Sequence, residues 1–533
     1  MKSVTQCCVL ILAATVIAMA LRLPLLAQRP MHTDEAVHAI KFAQLLEEGN
    51  YKYDYHEYHG PTLNYFTLLP AWLTGKHNIK EVTEFTLRIV PVFFGILLIP
   101  AYLLLTNGIT KRTALLAAII TAISPAFVFY SRYYIQEILL VLFTFALVAC
   151  VYRFTSRRNY IWPALAGISA GLMHATKETC ILAFAAMAAA SLLVLLLNIK
   201  KINFADKIKP NISHIVVFLI FAAATSILFF SSFFTNWHGI IDSFKTWTTY
   251  FDRAAADQDH IHPWFYYFRI LAFYKFGPGR IWSEAFVLFF AIIGSAFVLT
   301  GQTGNKTSKP LIQFILFYTL FLAAVYSAIK YKTPWCLLSF YTGMIILAAF
   351  GITRLADLLK EHKVHLSLFS VLIFAGLSHL LWQAYLANYP FAADPTNPYV
   401  YAHTSNDIYK INTRIRQFAA VHPDNKNTRI DIICAEHDHW PLPWYLRDFP
   451  NVAWLENVDN ELTPAPIIIA SPQLQKPLLK KLYQFPPPGQ KNLYLPLFNE
   501  YIELRPGVEL RGFVTKSLYD KYLQSQGSQQ QNE

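Results

Sequence analysis

The sequence predicts an α-helical membrane protein with many spans, followed by a water-soluble C-terminal domain of mixed helices and strands. Three observations support this fold class. Only 15% of the 533 residues are charged and 55% are hydrophobic, whereas a soluble globular chain carries about 25% charged residues. The mean hydropathy is positive, at +0.33. Long apolar runs recur as far as residue 388, and the composition changes after that point.

A transmembrane helix needs roughly 20 consecutive, mostly apolar residues, and about eleven segments of this chain fit that requirement. They are 7–27, 87–106, 113–130, 135–152, 160–175, 179–198, 213–235, 284–300, 311–329, 336–353 and 366–388. The first follows Lys2 and has no convincing cleavage site of small residues, so we interpret it as an uncleaved span. The segments 113–130 and 160–175 are short, which is typical of tilted, kinked or partly re-entrant helices.

Lysine and arginine cluster in one set of short connectors that contain few acidic residues. These are Lys111, Arg112, Arg153, Arg157, Arg158, Lys200, Lys201, Lys207, Lys209, Lys306, Lys309, Arg354, Lys360 and Lys363. Because cytoplasmic loops carry the excess of positive charge, these connectors and the N-terminus are predicted to be cytoplasmic. Loops 28–86 and 236–283 and the tail are then extracytoplasmic. The same loops explain the formal net charge of +12, so no nucleic-acid partner is predicted.

Two domains are predicted. Residues 1–388 form a transmembrane domain that includes the outer loops, and residues 389–533 form an extracytoplasmic domain. Short apolar runs in the tail, Ile430–Cys434, Val452–Leu455 and Pro466–Ala470, alternate with helical patterns. This alternation predicts a small α/β domain with a partly parallel sheet.

Polar residues follow the first predicted strand of the tail, from Glu436 to His439. Ligand sites of α/β domains tend to lie at the carboxyl ends of strands, so these residues are candidates for contact with a sugar. An ordinary loop also explains them and is the interpretation we favour.

The first outer loop opens with the sequence His-Thr-Asp-Glu-Ala-Val-His, from His32 to His38. One interpretation is helix capping, with Thr33 as the N-cap and with Asp34 and Glu35 interacting favourably with the helix dipole. That interpretation accounts for the acidic residues but not for the flanking histidines. A catalytic or ligand-binding role for the cluster stays open beside it.

Two further outer clusters carry candidate side chains. His59 precedes a Gly-Pro turn, and an ordinary polar turn is the alternative to a ligand-binding role. Glu137 follows Arg132 and Tyr134 at the start of an apolar run. A carboxylate entering a membrane helix is costly and is therefore a functional candidate. The alternative is that Glu137 only pairs with Arg132.

Lysines occur in two short connectors that the predicted topology places outside. Lys177 lies in one, and Lys330 and Lys332 lie in the other. Snorkelling of the side chains to the interface is the structural alternative, but short outer loops should be poor in lysine. Cations at these positions are suited to bind a phosphate at the membrane surface.

Carboxylates and cations thus recur on one predicted face of the membrane. This combination suits a transferase that uses a lipid-linked phosphosugar. A carboxylate would accept the proton of the attacking acceptor, and the cations would stabilise the departing lipid phosphate.

The sequence resembles GT-C glycosyltransferases of the protein O-mannosyltransferase and aminoarabinose-transferase type, which are similar to glycosyltransferase family 39. The matching motifs are Asp34-Glu35, Ser124-Pro125, Tyr130-Ser131-Arg132, Glu137, Thr176-Lys177 and Lys330 to Lys332. A prokaryotic branch labelled flippase-activity-associated is more similar still. It shares His32-Thr33-Asp34-Glu35, Tyr58-His59-Gly60-Pro61 and Tyr331-Lys332-Thr333-Pro334-Trp335. The resemblance covers roughly residues 1–390 and implies the GT-C fold.

The resemblance implies inverting transfer from a polyprenyl-phosphate sugar to a glycan, lipid or protein acceptor, by an enzyme of the inner or plasma membrane in contact with membrane lipids. It implies that Asp34 is the general base and that Glu35 and Glu137 position the acceptor or a divalent cation. The implied substrate-binding residues are Arg132, Tyr134, Lys177, Lys330, Lys332, His59 and Trp335.

The histidines of the first loop depart from the general O-mannosyltransferase pattern. His32 and His38, together with carboxylates, are ligands suited to a divalent metal such as Mg, Mn or Zn. They make a metal site a second expectation beside the simple base mechanism.

Two other functions compete with the transferase. A transporter or lipid-flippase-associated protein without transferase chemistry would place polar residues near the bilayer midplane, whereas the clusters lie at one face. A metal-dependent hydrolase would use His32, His38 and His59, but the chain has no HExxH motif or comparable spacing.

Overall fold

The computed structural model describes residues 2–56, 59–198, 211–256, 260–487 and 491–530. The Cα packing divides the chain into two compact units, each discontinuous in sequence. The membrane unit comprises residues 1–27, 44–76 and 83–401, and the tail unit comprises residues 28–43, 77–82 and 402–533. The predicted cytoplasmic lysines 200, 201, 207 and 209 lie outside the described residues.

The described part of the first 401 residues contains a series of α-helices. They are α1 (Lys2–Arg22), α2 (Thr33–Glu48), α3 (Thr62–Leu73), α4 (Glu84–Ala101), α5 (Thr106–Ile109), α6 (Lys111–Ile123), α7 (Pro125–Ser131), α8 (Glu137–Ser156), α9 (Ile161–His174), α10 (Cys180–Asn198), α11 (Ile212–Phe230), α12 (His238–Ala256), α13 (Tyr266–Ala272), α14 (Ala285–Leu299), α15 (Lys309–Ala328), α16 (Leu338–Leu359) and α17 (Lys363–Asn388).

Within the described part of the chain, eight helices are long and apolar enough to cross a membrane, or up to nine if a bent pair is one span. The eight are Thr5–Arg22, Glu84–Ile109, Glu137–Ser156, Cys180–Asn198, Ile212–Phe230, Lys309–Ala328, Pro334–Leu359 and Lys363–Asn388. The predicted spans 160–175 and 284–300 correspond to α9 and α14, which have only 14 and 15 residues. The predicted polytopic helical fold is confirmed, and these two shorter helices account for the difference in number.

The bent pair lies at predicted span 113–130, whose shortness indicated a tilted, kinked or partly re-entrant helix. Helices α6 and α7 meet at an angle of 60°. The break falls at Ser124, whose hydroxyl accepts a hydrogen bond from the backbone N–H of Phe127, and Pro125 begins the second helix. Proline has no N–H and disfavours helical geometry at the residue before it, so the bend is encoded in this dipeptide.

The tail unit contains a five-stranded sheet. Its strands are β1 (Ile430–Ile433), β2 (Val452–Leu455), β3 (Ile467–Ala470), β4 (Tyr494–Pro496) and β7 (Arg511–Thr515), and β5 (Glu503–Arg505) pairs with β6 (Val508–Glu509) in a separate two-stranded sheet. The helices are α18 (Asp407–Val421), α19 (Leu442–Tyr445), α20 (Gln475–Tyr483) and α21 (Lys516–Gln530).

The strand order of the larger sheet is β2-β1-β3-β7-β4. Strand β1 is parallel to β2 and β3, and β7 is antiparallel to β3 and β4. All four residues of β1 and of β3 are buried, as expected for strands covered on both faces. The one charged residue among them, Asp431 of β1, pairs with Arg429 at 3.1 Å. The predicted α/β domain with a partly parallel sheet is confirmed.

The two units differ from the sequence-based domains at two places. The prediction places the whole of loop 28–86 in the transmembrane domain, whereas residues 28–43 and 77–82 pack with the tail. It places residues 389–401 in the tail domain, whereas they belong to the membrane unit. The Tyr445 hydroxyl accepts from the backbone N–H of Met31 at 2.9 Å. The Arg447 guanidinium donates to the carbonyl oxygens of Ile79 and Val82 at 3.1 and 3.0 Å. These tertiary hydrogen bonds join segments far apart in sequence.

Helices α14 and α16 pack closely through glycine. A Cβ atom at Gly294 would collide with the backbone carbonyl oxygen of Leu347. We therefore expect Gly294→Ala to push the helices apart and to destabilise the protein by about 1–3 kcal/mol, the usual cost of overpacking. The measurement is the Tm of the full-length protein in detergent. Gly527→Ala is the control, because nothing lies within 4 Å of a Cβ there, and equal Tm values for the two variants would contradict the prediction.

Candidate functional site

Asp34 and Glu35 lie in the first turn of α2, where the helix dipole favours negative charge. Their environments differ. The Asp34 side chain is 42% exposed, whereas that of Glu35 is fully buried. One oxygen of Glu35 pairs with Arg29 at 2.9 Å, and the other accepts from the backbone N–H of His32 at 3.0 Å. Glu35 therefore holds the turn before the helix, and the capping interpretation fits it better than it fits Asp34.

The histidines of this loop are buried. The Nδ1 atom of His32 accepts from the backbone N–H of Asp34 at 3.1 Å, and its ring stacks on His403 at a centroid distance of 5.7 Å. His38 is 6% exposed. No group of three or more His, Cys, Asp or Glu residues that could hold a metal ion is found in the described ranges. The expected metal site at His32 and His38 thus lacks a third ligand among these residues.

Glu137 begins α8 in the membrane unit and is 4% exposed. Its Oε1 atom forms a buried ion pair with Lys177, which lies in the turn between α9 and α10. Its Oε2 atom is buried and accepts no hydrogen bond from any described residue. The structure therefore brings two predicted site residues together and leaves one buried oxygen of Glu137 without a hydrogen-bond donor among the described residues.

Lys177 has two acidic neighbours. Burial alone would lower the pKa of its ammonium group, but the charges of Glu137 and Glu178 outweigh this effect, so the pKa is raised well above its ordinary value. Lys177 therefore stays charged across the physiological range, and its charge is largely balanced by carboxylates.

His59 contacts the same turn. Its Nδ1 atom lies 2.9 Å from a carboxylate oxygen of Glu178. Burial alone would raise the pKa of Glu178, but His59 and Lys177 lower it to about 2. A Cβ at Gly60 would collide with the carbonyl oxygen of Ala175, so glycine permits this close approach. Tyr58 of the same motif lies outside the described residues.

Arg132 and Tyr134 have structural partners in the membrane unit. The Arg132 Nη1 atom donates to the carbonyl oxygens of Arg22 and Pro24 at 2.9 and 2.8 Å. Carbonyls at the end of a helix lack intrahelical donors, so Arg132 satisfies the end of α1. The hydroxyl groups of Tyr134 and Thr67 are 2.8 Å apart. Phosphate binding by Arg132 would compete with these carbonyl contacts.

The lysines of the late connector have different environments. Lys330 is exposed, and Lys332 is 1% exposed. The Lys332 ammonium donates to the carbonyl oxygens of Ile329 and His262, the latter at 3.2 Å. Burial lowers its pKa. In the described part of the chain neither lysine forms an ion pair with a carboxylate. Trp335 is buried, with its ring centroid 6.1 Å from that of Tyr401.

One buried carboxylate, that of Glu284, is not among the site residues predicted from the sequence. Glu284 precedes α14 and accepts from the Ser124 hydroxyl at 2.7 Å, the Ala126 N–H at 2.9 Å, the Tyr341 hydroxyl at 2.8 Å and the Tyr399 hydroxyl at 2.6 Å. The signal was present in the sequence, because a carboxylate at the start of an apolar run is the pattern that drew attention to Glu137. Through these four hydrogen bonds, Glu284 at the start of α14 connects the bend before α7 to α16.

A pair of histidines in loop 236–283 was also missed. The Tyr401 hydroxyl lies 2.6 Å from His260 Nδ1 and 3.1 Å from His262 Nε2. The backbone N–H of Lys332 donates to the His260 carbonyl oxygen at 3.0 Å. The His-x-His spacing is visible in the sequence, but its contact with the late connector depends on tertiary structure.

Comparisons with known proteins extend these observations. The model of the family described as dolichyl-phosphate-mannose-protein mannosyltransferase matches residues 12–238. No curated protein sequence matches the chain significantly.

Two solved membrane enzymes have a similar fold. ArnT from Cupriavidus metallidurans in the apo state is 13% identical, with a TM-score of 0.59, and the alignment covers 96% of this chain and 98% of ArnT. For ArnT bound to undecaprenyl phosphate the identity is 12%, the TM-score 0.55 and the coverage 95% and 97%. The oligosaccharyltransferase AglB from Archaeoglobus fulgidus, in complex with an inhibitory peptide and a dolichol-phosphate, is 13% identical, with a TM-score of 0.52 and coverage of 88% and 70%.

At these identities the similarity establishes the fold. The chain has the GT-C fold with a C-terminal sheet region, and the resemblance predicted from its motifs is confirmed. The A. fulgidus oligosaccharyltransferase has also been solved in complex with Zn and sulfate.

The Glu137–Lys177 pair permits a direct test of its contribution to stability. Removing one member leaves the other charge buried without its partner, so Glu137→Gln or Lys177→Met alone should cost about 3–5 kcal/mol. The double variant should cost less than the sum of the singles, because it leaves neither charge. Thermal unfolding in detergent measures both.

The exposed pair Lys360–Glu361, with side chains 68% and 78% exposed, is the control. Its corresponding variants should leave the Tm nearly unchanged, because exposed pairs contribute about 0–1 kcal/mol. Additive losses in the Glu137/Lys177 double variant would show that the two charges do not depend on one another.

Proposed function

We propose that the chain is an inverting glycosyltransferase that moves a sugar from a polyprenyl-phosphate-linked donor to an extracytoplasmic acceptor. The observation that carries the proposal is the fold similarity to ArnT over 96% of this chain and 98% of ArnT, because the ArnT fold has also been solved with bound undecaprenyl phosphate. The family match over residues 12–238 supports the same class of reaction.

The proposed reaction is a single displacement. The hydroxyl or amine of the acceptor attacks the anomeric carbon and forms the new glycosidic bond, while the bond between that carbon and the phosphate oxygen breaks. The proton of the acceptor passes to a carboxylate base, and polyprenyl phosphate leaves with the electron pair. Attack opposite the leaving group inverts the anomeric configuration.

Asp34 is the proposed general base. Of the two adjacent carboxylates in α2, only that of Asp34 is partly exposed, since both oxygens of Glu35 are occupied by Arg29 and His32. A base must reach the proton that it removes. Glu35 is proposed to position the loop. Glu137 is proposed to position the acceptor, because its Oε2 atom accepts no hydrogen bond from any described residue.

Lys330 and Lys332 are the proposed ligands of the lipid phosphate. They lack carboxylate partners among the described residues, whereas Lys177 is balanced by Glu137. A cation not already neutralised stabilises the departing phosphate more effectively. Lys177, Arg132, His59, Tyr134 and Trp335 remain proposed substrate-binding residues, with the contacts described above.

We propose the topology from the lysine and arginine distribution, which supports a cytoplasmic N-terminus and an extracytoplasmic tail. No step of the reaction is assigned to a metal, because His32 and His38 lack a third ligand among the described residues. The function of a divalent cation at these histidines stays a prediction.

Asp34→Asn should abolish sugar transfer and leave the Tm unchanged, because the amide cannot accept the proton but keeps the shape of the carboxylate. The assay uses full-length protein in proteoliposomes with a panel of radiolabelled undecaprenyl-phosphate sugars and, as the acceptor source, envelope extract from a deletion strain. Label leaving the lipid fraction measures transfer. Glu48→Gln, an exposed position at the end of α2, is the control. Normal turnover by Asp34→Asn would remove Asp34 as the base.

Lys332→Ala should weaken donor binding more than it weakens the fold. Loss of one charge-assisted contact to phosphate is worth about 1.5–3 kcal/mol, which corresponds to a rise of roughly 10- to 100-fold in the Kd for undecaprenyl phosphate. Tryptophan fluorescence during titration with undecaprenyl phosphate measures this Kd. Lys360→Ala, at an exposed position in another connector, is the control, and an unchanged Kd for Lys332→Ala would argue against the phosphate role.

A further inference from the structure

Arg505 connects the small hairpin of the tail unit to the start of α2. It is the last residue of β5. Its Nη1 atom donates to the Thr33 hydroxyl at 3.2 Å, and its Nη2 atom donates to Asp438 at 2.7 Å. The residue that precedes the proposed base is thus held by a guanidinium from the opposite end of the sequence.

The charge of Arg505 also interacts with Asp34. Burial lowers the pKa of the guanidinium, and the negative charges of Asp438 and Asp34 act against that shift. The Nε atom of Arg505 is buried and finds no hydrogen-bond partner in the described residues. Its two terminal nitrogens therefore donate to Thr33 and Asp438, while its positive charge attracts Asp34 in the first turn of α2.

Asp438 is held by an unusual backbone. It follows β1 at the carboxyl end of the parallel strands, where β2 and β3 lie on opposite sides of β1. Such a switch point is the usual location of functional residues in α/β domains. The two residues before it, Glu436 and His437, have φ values of 54° and 58°. Residues other than glycine rarely adopt this backbone conformation, and where they do they are often found at functional sites.

We propose that Arg505, held by Asp438, is a positioning residue that orients Asp34 through Thr33 and through its own charge. The inference rests on the proposed function, because Asp34 acts there as the base. A guanidinium fixed beside the first turn attracts the Asp34 carboxylate and so limits the orientations that this side chain can adopt. The tail unit then contributes to the chemistry by fixing the geometry of a residue from the first outer loop.

Arg505→Ala should lower kcat by about 100-fold, since a displacement of roughly 1 Å has an effect of this size. The Kd for undecaprenyl phosphate, from the same fluorescence titration, should stay at the wild-type value. Arg505→Lys should recover part of kcat, because it keeps the charge but loses the two-pronged geometry. Asp438→Asn should give an intermediate loss.

Arg511→Ala is the matched control. Arg511 lies on the neighbouring β7 and pairs with Glu509 at 2.7 Å at an exposed position, so its replacement should leave kcat and Tm unchanged.

The outcomes separate the two proposals. Full activity of Asp34→Asn would overturn the proposed function. An inactive Asp34→Asn together with wild-type kcat in Arg505→Ala would overturn this inference alone. If Arg505→Ala does not fold, Thr33→Val removes the contact with a smaller change, and wild-type kcat in that variant and in Asp438→Asn would likewise overturn the inference. Equal kcat values for Arg505→Lys and Arg505→Ala, with a lowered Tm in both, would assign Arg505 to stability and contradict the positioning role.

Discussion

The membrane unit depends on one constraint: an ionic or strongly polar group buried among apolar helices must find a partner. Three buried charged groups at helix ends of this unit satisfy the constraint in different ways. Glu137 pairs with Lys177, Arg132 donates to the last carbonyls of α1, and Glu284 accepts four hydrogen bonds. These contacts determine the connections at the helix ends, where the candidate substrate-binding residues lie.

The same constraint separates residues that hold the fold from residues that remain available. Glu35 and Asp34 are adjacent and chemically similar, yet only Glu35 has both oxygens occupied. Arg132 and Lys330 both carry positive charge, yet Arg132 donates to carbonyl oxygens and lies 5.0 Å from the Tyr389 ring centroid, whereas Lys330 is exposed. A group whose hydrogen-bonding capacity is filled by the protein must give up those bonds to bind a ligand. The contacts of each side chain therefore distinguish candidate ligand-binding residues that have the same chemical type.

The tail unit adds a second organising feature. Its parallel strands end beside the segment that opens the first outer loop, because residues 28–43 pack with the tail. The loop after β1 carries two residues at positive φ and then Asp438, which pairs with Arg505. The candidate base is thus supported from the C-terminal domain, although it lies near the N-terminus of the chain.

Local properties of the sequence predicted the membrane class, most of the spans, the irregular span at 113–130 and the α/β character of the tail. These properties are hydropathy and strand-length apolar runs. The sequence also selected residues of the right chemical types, including Glu137, Lys177 and His59.

Which of these charged and polar side chains contact one another depends on the tertiary structure. The pairs Glu137–Lys177 and His59–Glu178 join residues 40 and 119 positions apart, and Arg505 reaches Thr33 across 472 positions. Such contacts depend on how helices and strands pack, and no local pattern encodes them. Glu284 could have been found from its position before an apolar run, but its four donors come from three other segments. Only the folded chain therefore shows that the carboxylates of Glu35 and Glu284 are engaged in contacts within the protein, whereas that of Asp34 is partly exposed.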